Sequence, residues 1–342
     1  MRIALITDAW APQMNGVVRT LNAVTDRLRQ AGHEICVISP DQYLSVPCPS
    51  YPEIRLALAR TASVSRKICD FAPDAIHIAT EGPLGLAARR HCLRHGLPFT
   101  TAYHTQFPDY VARRIGISAD YIWPYIRWFH GPAEQTMVAT ASIRAQLAEQ
   151  GLERLTHWGR GVDLDCFRPD TPAPALYDDL PRPIQLYVGR VAVEKNIGAF
   201  LDTSHPGSKV VVGDGPALES LKAAYPQAHF AGVQKGRALA GYYANADIFV
   251  FPSRTDTFGL VMIEALASGT PVAAYPVAGP KDIIRDGIGV LDDDLERAIA
   301  IALRCDRDAA ARYGRTFSWE TSARQFLSAL KPLDAAAKAA AA

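Results

Sequence analysis

The stretch RIALITDAWAPQMNGVVRTLNAVTDRLRQAGHEICVIS, residues 2–39, decides the fold. Arg2–Thr7 is a short apolar run ended by a turn signal, the pattern of a strand buried in a parallel sheet. The loop Asp8–Asn15 leads to Gly16, and Val17, Leu21, Val24 and Leu28 then share one face of a helix over 17–31. Gly32 stops that helix, and Glu34–Ser39 reads as a second strand. Strand, loop, helix and strand in this order are the βαβ unit of a doubly wound α/β sheet. No G-x-G-x-x-G follows the first strand, which disfavours a dinucleotide-dependent oxidoreductase.

Outward from this unit, 75–79 and 98–103 read as strands, 84–95 as a helix between them and 142–150 as a further helix. Residues 169–183 carry five prolines and no apolar period, so they read as a linker. The pattern then restarts with strands at 184–188, 209–212, 228–231, 247–252 and 271–275 and a helix at 260–267. The expected organisation is therefore 1–168, a linker at 169–183, and 184–317, followed by a helix in 318–334 packing back toward the first domain. The Ala-rich 335–342 carries no functional signal. A length of 342 residues suits two domains, and 49% hydrophobic content supplies a core for each. Two doubly wound domains place two sets of strand carboxyl ends toward one cleft, where open α/β sheets take ligands.

The 36 basic and 35 acidic side chains leave a net charge of +1, too balanced for a nucleic-acid binder. Sixteen of the 17 basic residues in 1–165 are Arg, Lys67 being the exception. The six cysteines make no C-x-x-C, so neither a zinc site nor a redox pair is expected, and buried thiols in a reducing cytosol are. The apolar run before Asp8 is too short for a signal peptide, and no stretch reaches the length of a membrane span.

Three segments carry chemistry. Arg190 and Lys195 leave the end of the 184–188 strand five residues apart, a fork and a point charge able to converge on a diphosphate. Gly213-Asp214-Gly215 follows a strand, where glycine lets backbone approach a ligand. FPSRTDTFGLVMIEALASG, residues 251–269, sets Asp256 on a loop and Glu264 in the following helix, with the amides of Thr257, Phe258, Gly259 and Leu260 at a helix N-terminus. One carboxylate then suits sugar hydroxyls and the other a ribose diol. Each segment alone also fits an ordinary structural role: a surface ion pair, a plain turn, or Asp256 as a helix cap.

In combination these segments resemble retaining glycosyltransferases of the two-domain GT-B fold, family 4. Residues 251–269 resemble that family's E-x7-E signature, with Asp256 where the family usually has Glu. GRVAVEKN (189–196) resembles its diphosphate segment, and VVVGDGP (210–216), FAGVQKG (230–236) and LAGYYANADIFVFPS (239–253) match its second domain in order and spacing. NGVVRTL (15–21) resembles its glycine-containing loop, and His104 in YHTQFPDY (103–110) its active-site histidine. Residues 119–147 resemble the subgroup of glucosyl-, sulfoquinovosyl- and mannosyl-transferases acting on lipids.

The resemblance implies a hexosyltransferase with His104, Arg190, Lys195 and Asp256 as catalytic residues. The implied donor-binding set is Gly16, Arg190, Lys195, Gly213, Val233, Asp256, Thr257, Phe258, Gly259, Leu260 and Glu264. It implies UDP-glucose or UDP-glucuronate as favoured donor, with GDP-mannose also open, and a lipid acceptor such as diacylglycerol. The alternative is a soluble transferase acting on a polysaccharide or small glycoside. No cofactor and no metal are expected: Arg190, Lys195 and helix-terminal amides supply the positive charge. Asp163-Leu164-Asp165 is formally a D-x-D metal motif, but in GVDLDCF it reads as a turn. Arg66, Lys67, Arg89, Arg90, Arg94, Arg113, Arg114 and Arg127, with Tyr121, Trp123, Tyr125, Trp128 and Phe129, suit an anionic membrane surface or, equally, a helix core with a solvated face. The expected location is cytoplasmic, peripheral on the inner face of the cell membrane.

Overall fold

The computed structural model describes residues 1–13, 15–48, 51–104, 118–335 and 337–338. The chain forms two compact units, residues 1–159 with 319–342, and residues 160–318.

In the first unit β1 (Arg2–Ile6), β2 (Glu34–Ile38), β5 (Ala75–Ile78), β6 (Thr100–Tyr103), β7 (Gln135–Val138) and β8 (Leu155–His157) form one sheet in the order β2-β1-β5-β6-β7-β8. All its pairings are parallel. An antiparallel hairpin of β3 (Ser45–Cys48) and β4 (Tyr51–Ala57) interrupts the series. The helices are α1 (Gly16–Gln30), α2 (Thr61–Phe71), α3 (Pro83–His95), α4 (Trp123–His130) and α5 (Ala141–Glu149). Alternation along β5 sets the two faces. Ile76 and Ile78 join Val64 and Ile68 of α2 and Leu84 and Ala88 of α3 in one buried cluster. His77 points to the opposite face, edge-on to Trp158 and Phe326. Burial there pushes its imidazole down to about 3.

The second unit holds β9 (Ile184–Val188), β10 (Ser208–Val212), β11 (His229–Gly232), β12 (Ile248–Phe251), β13 (Val272–Ala274) and β14 (Gly289–Leu291), in the order β11-β10-β9-β12-β13-β14. These pairings are parallel too. Its helices are α6 (Ile197–Leu201), α7 (Leu218–Ala224), α8 (Gly236–Asn245), α9 (Leu260–Ala267), α10 (Pro280–Ile283), α11 (Leu295–Ala302) and α12 (Arg307–Gly314). Tyr187, Val211, Val250, Phe200 and Ile299 lie in one of its buried clusters.

Helix α13 (Trp319–Ala329) belongs to the first unit. Trp158 Nε1 donates to Ser322 Oγ at 3.1 Å, and Arg27 pairs with Glu320 at 2.6 Å. The division of the chain falls between Gly159 and Arg160, ahead of the expected end of the first domain at 168. The segment expected as a linker, 169–183, packs on the second unit. Tyr177 is buried and its hydroxyl donates to the Tyr242 carbonyl at 3.1 Å. Asn245 Nδ2 donates to the Thr171 carbonyl at 2.9 Å. The prolines suppress regular structure, but these side-chain bonds still fasten the segment down.

Strand order defines a switch point in each sheet, where successive connections leave in opposite directions and open α/β sheets take ligands. It lies between β1 and β5 in the first unit and between β9 and β12 in the second.

Candidate active site

At the second unit's switch point two loops converge. Leaving β9, Gly189 adopts φ +154°, and a Cβ there would lie 2.9 Å from the Tyr187 hydroxyl. That hydroxyl donates to the Arg190 carbonyl at 2.9 Å. Burial, then the charges of Asp256 and Glu194, hold the Tyr187 phenol well above its ordinary range, so it remains a donor. The loop carries Arg190, 3.9 Å from Glu194, and then Lys195. Asn196 sits in the left-handed region at φ +54°, which Asn tolerates, and its side chain donates to the Pro252 carbonyl at 3.2 Å.

The second loop, after β12, brings Asp256 Oδ1 to 2.6 Å from Lys195 Nζ. Burial pushes the Asp256 carboxyl up, but the charge and hydrogen bond of Lys195, with Ser253, outweigh it and hold the group below its ordinary value. The two loops are therefore tied twice, by Lys195–Asp256 and by Asn196–Pro252. Arg254, on the same loop, stacks on the Tyr275 ring at 3.5 Å. Gly259 is the N-cap residue of α9 at φ +88°, where a Cβ would meet Met262 at 2.7 Å. Glu264 is the one charged residue of α9, is 2% exposed, and accepts a hydrogen bond from the Tyr243 hydroxyl at 3.1 Å.

Thus Arg190, Lys195, Asp256 and the 257–260 amides gather at the ends of β9 and β12, while Gly213 and Val233 follow β10 and β11. Gly213 is required sterically: a Cβ there would lie 1.9 Å from the Gly189 carbonyl oxygen. Val233 is 47% exposed beyond β11. The Phe258 side chain is buried and edge-on to Phe317 at 6.3 Å. Asp163 Oδ1 accepts from the amides of Asp165 and Cys166 at 3.2 Å each, closing a turn. Among the described residues no group of three or more His, Cys, Asp or Glu side chains is arranged to hold a metal.

In the first unit Gly16 opens α1, whose N-terminus is capped by Asn15 Oδ1 accepting from the Val18 amide at 3.0 Å. His104 follows β6, its ring edge-on to Trp158 at 5.4 Å. The rest of the quoted segment 103–110, and Arg113 and Arg114, lie in 105–117, outside the described residues. The switch point of this unit holds Asp8, 6% exposed, a residue that sequence reasoning left in a loop. Asp8 Oδ1 accepts from the Leu84 amide at 2.9 Å, and Oδ2 from the Gly85 amide at 3.3 Å and from Thr80 Oγ1 at 2.9 Å. Burial pushes its carboxyl up to about 6 despite these bonds. Beside it, Glu81 Oε1 accepts from His130 Nε2 at 3.1 Å.

The aromatic and basic stretch divides. Trp123 and Phe129 are buried, and so is Arg89, which lies under the Trp128 ring at 3.8 Å and donates to the Phe129 carbonyl at 3.0 Å. Trp123 and Phe129 lie on the inward side of helix α4, and Arg89 is buried on α3. Tyr125 is half-buried, and Lys67 Nζ donates to Gln42 at 2.6 Å while facing the Tyr43 ring. Tyr121, Arg127, Trp128, Arg90 and Arg94 remain exposed. No helix among the described residues is long and apolar enough to cross a membrane.

Known proteins resemble this chain in fold and in sequence. Sucrose-phosphate synthase from Thermosynechococcus elongatus superposes with a TM-score of 0.76 at 22% identity, covering 96% of this chain and 97% of that one. The architecture is the GT-B fold of glycosyltransferases. Residues 14–166 match Glycosyltransferase Family 4, and residues 182–305 match glycosyl transferases group 1. A GDP-mannose-dependent alpha-mannosyltransferase of Mycolicibacterium smegmatis is 32% identical over 92% of this chain and 91% of that protein. An alpha-monoglucosyldiacylglycerol synthase of Streptococcus pneumoniae is 28% identical over 95% of this chain and 83% of that protein. The chain belongs to glycosyltransferase family 4 and is a hexosyltransferase.

Proposed function

We propose that this enzyme moves a hexose, with retention at the anomeric carbon, from a nucleotide diphosphate sugar to a lipid acceptor in glycolipid synthesis. The observation that carries the reading is the pairing of Lys195 with Asp256 at the switch point where Arg190 also emerges, which gathers the charges that a sugar diphosphate needs. Of the donors open from the sequence, GDP-mannose is favoured over UDP-glucose and UDP-glucuronate, since the Mycolicibacterium relative is named for it. Diacylglycerol as acceptor is supported by the name of the Streptococcus relative and by the exposed Tyr121, Arg127 and Trp128. This surface suits the anionic inner face of a cell membrane.

As the bond to the anomeric carbon breaks, that carbon becomes oxocarbenium-like and the diphosphate gathers negative charge. Arg190, Lys195 and the 257–260 amides stabilise the leaving group electrostatically, and no metal is required in this reading. Glu264 binds the ribose diol, Asp256 the sugar hydroxyls, and His104 contacts the donor sugar. The acceptor hydroxyl attacks from the face that the diphosphate leaves, and its proton passes to a phosphate oxygen.

A panel of GDP-mannose, UDP-glucose and UDP-glucuronate with diacylglycerol in vesicles tests this. Expected is fastest transfer from GDP-mannose, an α-linked product by NMR, and full activity in EDTA. Transfer from UDP-sugars alone would replace the donor assignment, and loss in EDTA restored by Mg²⁺ would overturn the metal-free reading. Burial of Trp123, Phe129 and Arg89 shrinks the exposed patch and favours, as second reading, a soluble transferase. Equal rates on a soluble glycoside without vesicles would establish it.

A further inference from the structure

We propose that Tyr243 is a positioning residue that sets the orientation of Glu264 toward the nucleotide; the inference rests on the reading of Glu264 as the ribose ligand. Tyr243 lies near the end of α8 and is fully buried, with its hydroxyl 3.1 Å from Glu264 Oε2. Glu264 is the charged residue of an otherwise apolar helix, 2% exposed. Burying a carboxylate is costly unless hydrogen bonds replace its water, so a donor in this place has a strong effect on where the group points. The terminal torsion of a Glu side chain is broad, and packing against apolar neighbours does not fix it. A hydrogen bond to one oxygen does. A carboxylate offers about four lone-pair sites, and Tyr243 takes one of them, which turns the plane of the group.

The ring of Tyr243 is itself held firmly. It packs against Phe249 at 5.5 Å and edge-on to Phe167 at 5.8 Å, and Thr270 Oγ1 donates to the Tyr243 carbonyl. The hydroxyl therefore approaches Glu264 from a fixed place. The substitution Tyr243→Phe keeps every ring contact and removes the hydroxyl alone. Orienting Glu264 matters only for a ligand with a diol to receive, so the inference separates cleanly from a general packing role.

The test titrates the full-length chain with GDP or UDP, whichever the wild type binds more tightly, and with the 2′,3′-dideoxy form of the same nucleotide. The wild type is expected to prefer the ribose form. In Tyr243→Phe that preference is expected to shrink about five- to tenfold, with affinity for the dideoxy form unchanged. A preference that stays at the wild-type value overturns the inference, and so does equal weakening of both ligands, which marks a loosened core. Glu264→Gln separates the layers. If the preference survives Glu264→Gln, the ribose reading fails and the inference with it. If it collapses in Glu264→Gln but survives Tyr243→Phe, the inference alone fails.

Discussion

The two units use one topology and load it with opposite chemistry. At the first switch point the Asp8 carboxylate occupies the amides of Leu84 and Gly85 at the start of α3, where an anionic ligand would otherwise sit. Among the described residues no cation pairs with the buried group, and its pKa rises to about 6. At the second switch point Asp256 meets Lys195 at 2.6 Å and its pKa falls. An aspartate at the end of a parallel strand is thus an internal cap in one unit and half of a charged ligand cradle in the other. The difference is whether a cation is brought to it.

The largest test of this contrast is Lys195→Ala. Removing the cation is expected to lower kcat/KM about 10²- to 10³-fold with the fold intact by circular dichroism. Undiminished turnover would mean that the Lys195–Asp256 pair, like the Asp8 cap, is only structural.

The pH dependence should then run in opposite directions. The folded pKa of Asp8 lies above the unfolded 3.8, so its contribution to stability is full below that value and is lost as pH rises through about 6. Relative to Asp8→Asn, the wild type should lose at most about 3 kcal/mol between pH 4 and 7. The folded pKa of Asp256 is lowered, so its contribution is present above the usual carboxylate range and is lost as pH falls through the lowered value. Relative to Asp256→Asn, the wild type should lose its advantage on acidification. Urea unfolding of both pairs across pH measures this, and parallel trends would break the comparison.

A similar effect is expected from the glycines that let the backbones cross. A Cβ at Gly85 would lie 1.9 Å from the Thr80 carbonyl oxygen, and one at Gly213 equally close to that of Gly189. Gly85→Ala and Gly213→Ala should each cost about 1–3 kcal/mol by thermal unfolding. Only Gly213→Ala should also weaken nucleotide binding. The smallest effect is expected from Arg254→Ala, which removes the stack on Tyr275 and should cost about 0.5–1 kcal/mol. A KM raised two- to fourfold with kcat held would show that the stack steadies the Asp256 loop.

Much of the sheet was legible in the sequence. The strand over 184–188 and the helix over 260–267 stand where apolar runs and flanking turn residues put them. β7 and β8 were missed, being short and mixed in polarity, and so was the hairpin at 45–57. The linker was misread because proline marks irregular backbone and says nothing of whether that backbone is packed. In the site, Glu264 was legible from its spacing after Asp256, whereas Tyr243 and Asp8 were not, since nothing local to either announces a partner.

The sequence by itself determined two α/β units, the candidate cations and carboxylates, and the family to which they belong. Only the tertiary structure decided that Lys195 reaches across 61 residues to Asp256, that Asp8 reaches across 76 to the Leu84 amide, and that Arg89 and Phe129 turn inward. The physical reason is that periodicity encodes which face of an element is buried. Strand order, a property of the whole sheet, then decides which distant loops meet and so whether a carboxylate finds a lysine or a helix end.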